Sequence, residues 1–382
     1  MQTMIEIWGS MLALVWTVLA VLALPGLLRI PRLPDAVEKR EEGPLISVIL
    51  AARNEEDKIE QTLLSLLENN YVNFEIVAVD DRSDDCTGEI MEKVCQKSPR
   101  LTVIHVTDLP SGWLGKNYAL YLGAQQARGK WLLFTDGDVW FASDALSRAV
   151  YYAEKHDADH LVIPPRMKLR GYWLMGLVAF FIFNLTLFFR PQNAINPRSQ
   201  AHMGVGAFNM LRRDVYEAVG THQALALRPD DDLRLGRLVK EKGFRQHFIP
   251  ARHFAEVEWY PTLTEMAHGL EKNALAPFRY SIPLLLFGML PLFLLYVSPF
   301  VAPFATEGGL RLIYLYCLGV MFALYVLTGV FTQLPVHHFL TLPVSVLLFI
   351  YMLVRAALLA WRRGGIHWRG TFYSLKELRK QR

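Results

Sequence analysis

Cysteine is nearly absent from this chain of 382 residues: three occur, Cys86, Cys95 and Cys317. Their spacing offers no paired metal-binding motif and no disulfide framework, so free thiols in a reducing compartment are expected. Charge of one sign is also scarce. Lys and Arg number 40 against 36 Asp and Glu, a net +4, which argues against a nucleic-acid partner. Residues 4–30 lack the basic start of a cleaved export signal, and their apolar run is too long for one. What abounds is apolar side chain, 52% of the composition, above the ~45–50% of ordinary domains.

That excess lies mostly at the two ends. Residues 4–30 are long enough to cross a bilayer core of about 30 Å and are expected to form a transmembrane anchor within residues 1–32. Arg29, Arg32, Lys39 and Arg40 follow, which assigns the next domain to the cytoplasm. Three runs, 282–304, 310–334 and 339–361, make a C-terminal membrane region of two or three helices over 282–361. Pro283, Pro291, Pro299 and Pro303 remove backbone hydrogen bonds from the first, so it is expected to be interfacial or re-entrant. The other two would then cross as a hairpin and return the basic tail, 362–382, to the cytoplasm. A multi-pass cell-membrane protein with its catalytic domain in the cytoplasm is the expectation. A further run, 171–189, should lie on or dip into the membrane, because a crossing would separate the polar clusters on its two sides.

Between residues 45 and 164, short β-rich runs alternate with helical patterns. "LISVILAA", "FEIVAVD", "LTVIHVT" and "KWLLFTD" read as strands, and the segments between them as helices. This is the pattern of an α/β domain with a mostly parallel sheet, whose ligands sit beyond the carboxyl ends of the strands. Polar residues gather at those ends: "ARNEE" after the first, "DDRSDD" after the second, "DGD" after the fourth. Asp136 and Asp138 stand two apart, so on extended chain both leave one face. Two carboxylates there call for a counter-charge, and oxygen ligands suit Mg²⁺ or Mn²⁺ shared with a diphosphate. In "LPSGWLGKNYAL", Gly112 and Gly115 precede Lys116 at a helix start, where backbone N–H groups and a lysine favour an anion. Further on, "RPDDDLRLG" opens a helix with three successive carboxylates, Asp230, Asp231 and Asp232. One of them, outside the metal shell, could take a proton from a hydroxyl.

"ARNEE", "VDDRSDDCTGE", "GWLGKNYAL", "TDGDV", "GAFNMLRRDVY" and "DDDLRLG", in this order, resemble the family 2 inverting glycosyltransferases with a GT-A fold. The resemblance covers about residues 45–277 and implies a Rossmann-like, mostly parallel sheet flanked by helices. It implies that Ala51, Arg53, Glu55, Asp80 or Asp81, and Ser83 hold the uridine of a UDP-sugar. Asp136 would address ribose and diphosphate, with Asp136 and Asp138 at the metal. It makes Asp232 the general base, Asp231 its neighbour, and Gly204, Gly206, Phe208 and Arg212 the acceptor region. In place of the Q-x-x-R-W of polymer synthases stands "GLEKN", where Lys272 would replace the arginine at the diphosphate. With "GWLGK" and "HWRGTFY", this variant is similar to the membrane-bound branch that glycosylates carotenoids and related isoprenoid lipids. A hexose passed from a UDP-sugar to a hydroxyl or carboxyl of a lipid is the implied reaction. A polyprenyl-phosphate sugar transferase, a polysaccharide-building transferase, a nucleotidyltransferase and a silent membrane scaffold are its rivals. Donor, lipid and membrane are the expected partners; no protein partner is indicated.

Overall fold

The computed structural model describes residues 2–35, 37, 43–271, 275, 278, 281–332, 335–368 and 371–375. The order begins α1 (Gln2–Arg29), β1 (Ile46–Ala52), α2 (Ile59–Leu67), β2 (Phe74–Asp81), α3 (Thr87–Cys95), β3 (Leu101–Val106), α4 (Gly115–Gln126) and β4 (Trp131–Asp136). It continues with β5 (Val139–Phe141), α5 (Ala145–Lys155), β6 (His160–Val162), β7 (Arg166–Met167), α6 (Tyr172–Phe188), β8 (Asn209–Arg212), α7 (Arg213–Ala218) and α8 (Asp231–Glu241). Last come β9 (Gln246–Phe248), β10 (Ala255–Val257), α9 (Leu263–Leu270), α10 (Ile282–Ala305), α11 (Gly308–Thr332), α12 (Leu342–Arg363), β11 (Gly365–Trp368) and β12 (Thr371–Ser374). Two units emerge: Leu28–Lys168 with Phe188–Glu258, and Met1–Leu27 with Leu169–Leu187 and Trp259–Arg382.

The first unit is built on a seven-stranded sheet of order β3-β2-β1-β4-β8-β6-β9. β1 pairs in parallel with β2 and β4, and β2 with β3, as the strand–helix alternation requires. The strands are apolar almost throughout because helices cover both faces. Val48 and Leu50 enter one core with Ile59 and Leu63 of α2; Ile49 points the other way, to Leu120 and Ala124 of α4. Gly123 brings α4 close, since a Cβ there would stand 2.5 Å from Ile49 Cγ2. β8 reverses direction and pairs antiparallel with both β4 and β6. A small second sheet, β5-β10-β7, adjoins in sequence.

The second unit gathers the apolar helices. Among the described residues five segments are long and apolar enough to cross a membrane: Ile5–Arg29, Tyr172–Asn193, Ile282–Ala305, Gly308–Gly329 and Val336–Arg363. The prolines of α10 do not interrupt it. Pro291, Pro299 and Pro303 all lie inside one continuous helix, and packing against α11 and α12 stabilises it.

α6 is embedded among its neighbours. Phe183 stacks on Trp16 of α1 at 6.4 Å and meets Tyr325 of α11 at 5.5 Å; Phe180 meets Phe349 of α12 at 5.6 Å. The Tyr296 hydroxyl of α10 donates to Asn184 Oδ1 at 2.6 Å. Yet β6 before α6 and β8 after it are hydrogen-bonded in one sheet. A single passage of α6 across a bilayer would place these paired strands on opposite sides, and the ladder excludes that.

Candidate active site

The loops after β1 and β2 are stitched together. Ser83 Oγ accepts from the Asn54 N–H at 3.1 Å, and the Asp84 N–H donates to Asn54 Oδ1 at 2.9 Å. The Glu55 N–H reaches Thr87 Oγ1 at 2.8 Å. Asn54 and Arg82 adopt φ of 55° and 56°, the left-handed region that Asn tolerates and Arg resists. Ser83 is thus a fastener of the loop, with Arg53 and Glu55 half-buried beside it.

The structure separates Asp80 from Asp81. Asp80 Oδ1 accepts from the Ser83 N–H at 3.1 Å, and its Oδ2 lies 3.1 Å from His105 Nδ1. His105 also reaches Glu92 Oε1 at 2.9 Å, and bonds to Glu92 and then Asp80 hold its pKa above the ordinary value. Asp81 is 1% exposed. Its Oδ1 takes the Arg82 Nε–H at 2.8 Å, while Oδ2 is buried with no partner among the described residues. A buried acceptor left unmatched costs about 1–3 kcal/mol. An N–H from a ligand would complete it.

At the end of β4, Asp136 lies in register with Ala51 of β1. Asp136 Oδ1 is 2.7 Å from the Lys116 ammonium, which reaches Asp231 Oδ1 at 3.9 Å. Burial alone would lower the Lys116 pKa; Asp136, Asp231 and Asp232 together raise it, so the ammonium keeps its charge. Asp138 does not share the extended face expected of it. β4 stops at Asp136, and Gly137 with Asp138 forms a turn. Asp138 Oδ2 instead approaches Lys58 Nζ at 3.6 Å. Burial, then Asp136, pushes the Asp138 carboxyl up, against the pull of Lys58.

Each carboxylate therefore has its own lysine. Among the described residues no three His, Cys, Asp or Glu side chains are grouped to hold a metal alone. Mg²⁺ and Mn²⁺ commonly take one or two carboxylates and complete their shell with substrate phosphate. Asp136 and Asp138, hard oxygen donors whose charge is under-compensated at Asp138, fit that role.

The far wall comes from two glycines and α8. A Cβ on Gly204 would fall on the Asp232 carbonyl, and one on Gly206 on Asp136 Oδ2. Asp231 is 5% exposed. Burial first, then Asp232 and Asp136, raise its pKa to about 7 despite Lys116. Asp232 accepts the Leu233 N–H at 2.7 Å; burial raises its pKa while backbone N–H groups of Leu233 and Gly206 oppose. Asp230 turns to Arg228 at 3.2 Å.

Two expected site residues are elsewhere. Phe208 is fully buried and packs edge-on to Phe254 at 4.9 Å. Arg212 pairs in register with Trp131, at the opening end of β4, and binds Asp214 at 2.9 Å and Asp159 at 3.3 Å. For Arg212 the antiparallel course of β8 is the reason: the strand starts beside the end of β4 and finishes beside its beginning. Lys272 lies outside the described residues, as do 369–370 and 376–382 of the tail.

Lys58 and Asn117 escaped the reading of the sequence. The Asn117 amide, 1% exposed, donates to the Leu225 carbonyl at 2.5 Å and to Arg228 O at 2.9 Å. It thereby ties the helix of Lys116 to the loop of the acids. An Asn in the first turn of a helix, next to Lys116, was the available signal.

Comparison with known proteins agrees with this geometry. Residues 47–220 match the family model Glycosyl transferase family 2. A 4,4'-diaponeurosporenoate glycosyltransferase of Staphylococcus haemolyticus (strain JCSC1435) is 39% identical over 135 residues, 34% of this chain and 34% of that protein. A beta-monoglucosyldiacylglycerol synthase of Trichormus variabilis (strain ATCC 29413 / PCC 7937) is 28% identical over 233 residues, 59% of this chain and 48% of that protein. The chain thus spans less than half the length of either relative. The mannosyltransferase PcManGT from Pyrobaculum calidifontis, solved in complex with GDP-Man and Mn²⁺, superposes with a TM-score of 0.55. That match covers 93% of this chain and 98% of that one at 17% identity, a likeness of fold alone. Residues 47–220 are thus similar to glycosyl transferase family 2, and the fold that carries them is an α/β fold of GT-A type.

Proposed function

We propose that this chain is a membrane-bound inverting glycosyltransferase that moves a hexose from a UDP-sugar to a hydroxyl or carboxyl of a lipid. The observation that carries the reading is the half-buried Lys116 ammonium set between Asp136, on the donor side, and Asp231, at the start of α8. Relatives named for a diaponeurosporenoate and a monoglucosyldiacylglycerol support a lipid acceptor, as do five helices apolar enough to enter a membrane. The carboxylate-rich strand ends would then work on the cytoplasmic side.

Asp81, with its unpartnered Oδ2, would receive the uracil N–H beside Arg53 and Glu55. Asp136 and Asp138 would hold Mg²⁺ or Mn²⁺, which supplies positive charge to the departing diphosphate. Lys116 adds an ammonium that burial strengthens. Asp231, rather than Asp232, best fits the general base. Burial first raises its carboxyl toward neutral pH, and it faces the Lys116 ammonium, whereas an Asp232 oxygen is already engaged by the Leu233 N–H. Asp231 takes the acceptor proton; the acceptor oxygen forms its bond to the anomeric carbon as the bond to UDP breaks on the opposite face.

The test is purified full chain with Mn²⁺ or Mg²⁺, a panel of UDP-sugars and a total lipid extract, followed by mass analysis. New lipid species heavier by one hexose, with UDP released, are expected. Release of pyrophosphate, or UDP-sugar binding without any glycosylated lipid, overturns the reading.

A further inference from the structure

Lys58 occupies a position that helix energetics disfavour. It is the residue before α2, with φ −125° and ψ −29°, and its side chain makes no capping bond. A cation at a helix N-terminus meets the positive end of the macrodipole, where acidic side chains are stabilising. The first turn of α2 supplies one, Glu60. Lys58 therefore contributes nothing to starting the helix that another residue would not do better.

Its ammonium points to Asp138 instead. The 3.6 Å separation exceeds the ~2.7–2.9 Å of a closed N⁺–H···O⁻ bond; Lys116 and Asp136, at 2.7 Å, have closed theirs. Both Lys58 and Asp138 keep about a quarter of their side-chain surface, 25% and 22%. The turn bearing Asp138 is held by the same helix: Thr62 Oγ1 donates to the Gly137 carbonyl at 3.0 Å, and Ser65 Oγ accepts from the Phe141 N–H at 3.0 Å. The carboxylate is thus fixed against α2, while the lysine reaching it hangs on a flexible four-carbon stem.

One carboxylate cannot keep a close ammonium and bind a divalent cation without the two positive charges repelling. The geometry points to Lys58 as an exchanging counter-ion: it guards Asp138 before the donor arrives and swings to the donor diphosphate when a divalent cation claims the carboxylate. This rests on the metal–nucleotide reading given above. Lys58 would raise the selectivity of the site for the cation and diphosphate together, by opposing the bare cation and rewarding the pair.

The experiment uses full-length chain in detergent, unaltered and as Lys58→Met and Lys58→Arg. Mn²⁺ binding without nucleotide is followed by electron paramagnetic resonance, and UDP binding with saturating Mn²⁺ by calorimetry. Lys58→Met should bind bare Mn²⁺ about fivefold more tightly and UDP about fivefold more weakly, the scale of a partly exposed ion pair. Lys58→Arg, which keeps the charge and cannot be lost to misfolding through charge removal, should stay within about twofold of the unaltered protein on both. A purely structural lysine would leave bare Mn²⁺ affinity unmoved in Lys58→Met, or weaken both ligands alike; either result overturns the inference while the nucleotide reading stands. UDP affinity of the unaltered protein indifferent to chelator overturns both.

Discussion

The Lys116 ammonium lies 2.7 Å from Asp136 Oδ1, a closed ion pair with its lysine half-buried and its carboxylate open to solvent. It is the point where the donor half and the acid half of the site meet. Replacing Lys116 with Met should leave Asp136, Asp231 and Asp232 facing one another without compensation. Transfer is expected to fall about 10²–10³-fold, the scale of losing one preorganised charge at a leaving group. Steady-state assays with radiolabelled UDP-sugar measure it, and a loss under tenfold would remove Lys116 from the reaction.

The two acids of α8 should separate under substitution. Asp231→Asn is expected to lower kcat about 10³-fold with UDP affinity kept within about twofold, as loss of a general base requires. Asp232→Asn should cost less in kcat, because its carboxylate is engaged with the Leu233 N–H. The reverse ranking in single-turnover assays returns the base to Asp232.

Gly204 and Gly206 predict two different failures. Gly206→Ala would press a methyl onto Asp136 Oδ2 and stand 3.3 Å from Lys116 Nζ, so UDP binding should weaken with little change in melting temperature. Gly204→Ala would meet backbone, the Asp232 carbonyl, which cannot rotate away. A loss of about 1–3 kcal/mol in stability is expected there, visible in thermal melts.

Chelation is a direct test of the Asp136–Asp138 pair. EDTA should abolish transfer and Mn²⁺ or Mg²⁺ should restore it, whereas Asp138→Asn should shift the metal requirement about tenfold higher. Metal titrations of initial rate show which holds.

Acid should unfold the sheet domain through His160. This side chain is fully buried, facing Asn209 Oδ1 and Gln246, and burial lowers its pKa to about 4. The unfolded chain takes the proton first, near the ordinary ~6.5. The neutral form's contribution is therefore complete above that value, declines as pH falls below it, and is exhausted near pH 4. By pH 5 the loss from this residue amounts to about 2 kcal/mol. Denaturant midpoints at pH 7 and pH 5 should differ in that sense, and a midpoint unchanged between them would contradict it.

The four parallel strands were legible because each is a short apolar run closed by Asp, Asn or Ser, a pattern that local sequence carries. The strand ends therefore pointed to Asp81, Asp136 and the α8 acids. What local pattern cannot carry is direction and partner. "GAFNMLRR" names no orientation, and only the antiparallel ladder of β8 separates Gly206, beside Asp136, from Arg212 at the opposite end. Phe208 was expected in the acceptor region because a buried aromatic and a binding aromatic look alike in sequence, and it packs on Phe254. Lys58 and Asn117 act on partners 80 and 108 positions away, contacts that no window of neighbours contains. Pro291, Pro299 and Pro303 lie inside one continuous α10, a continuity that local sequence does not announce.

Because β8 follows α6 in the chain and pairs with β4 and β6 before it, the catalytic floor has an assembly order. During synthesis the first four strands can close, but the staple joining them to β6 and β9 emerges only after the apolar helix α6. Until β8 arrives the four-strand half keeps an open edge at β4, so the sheet grows past its parallel half only once α6 has been made.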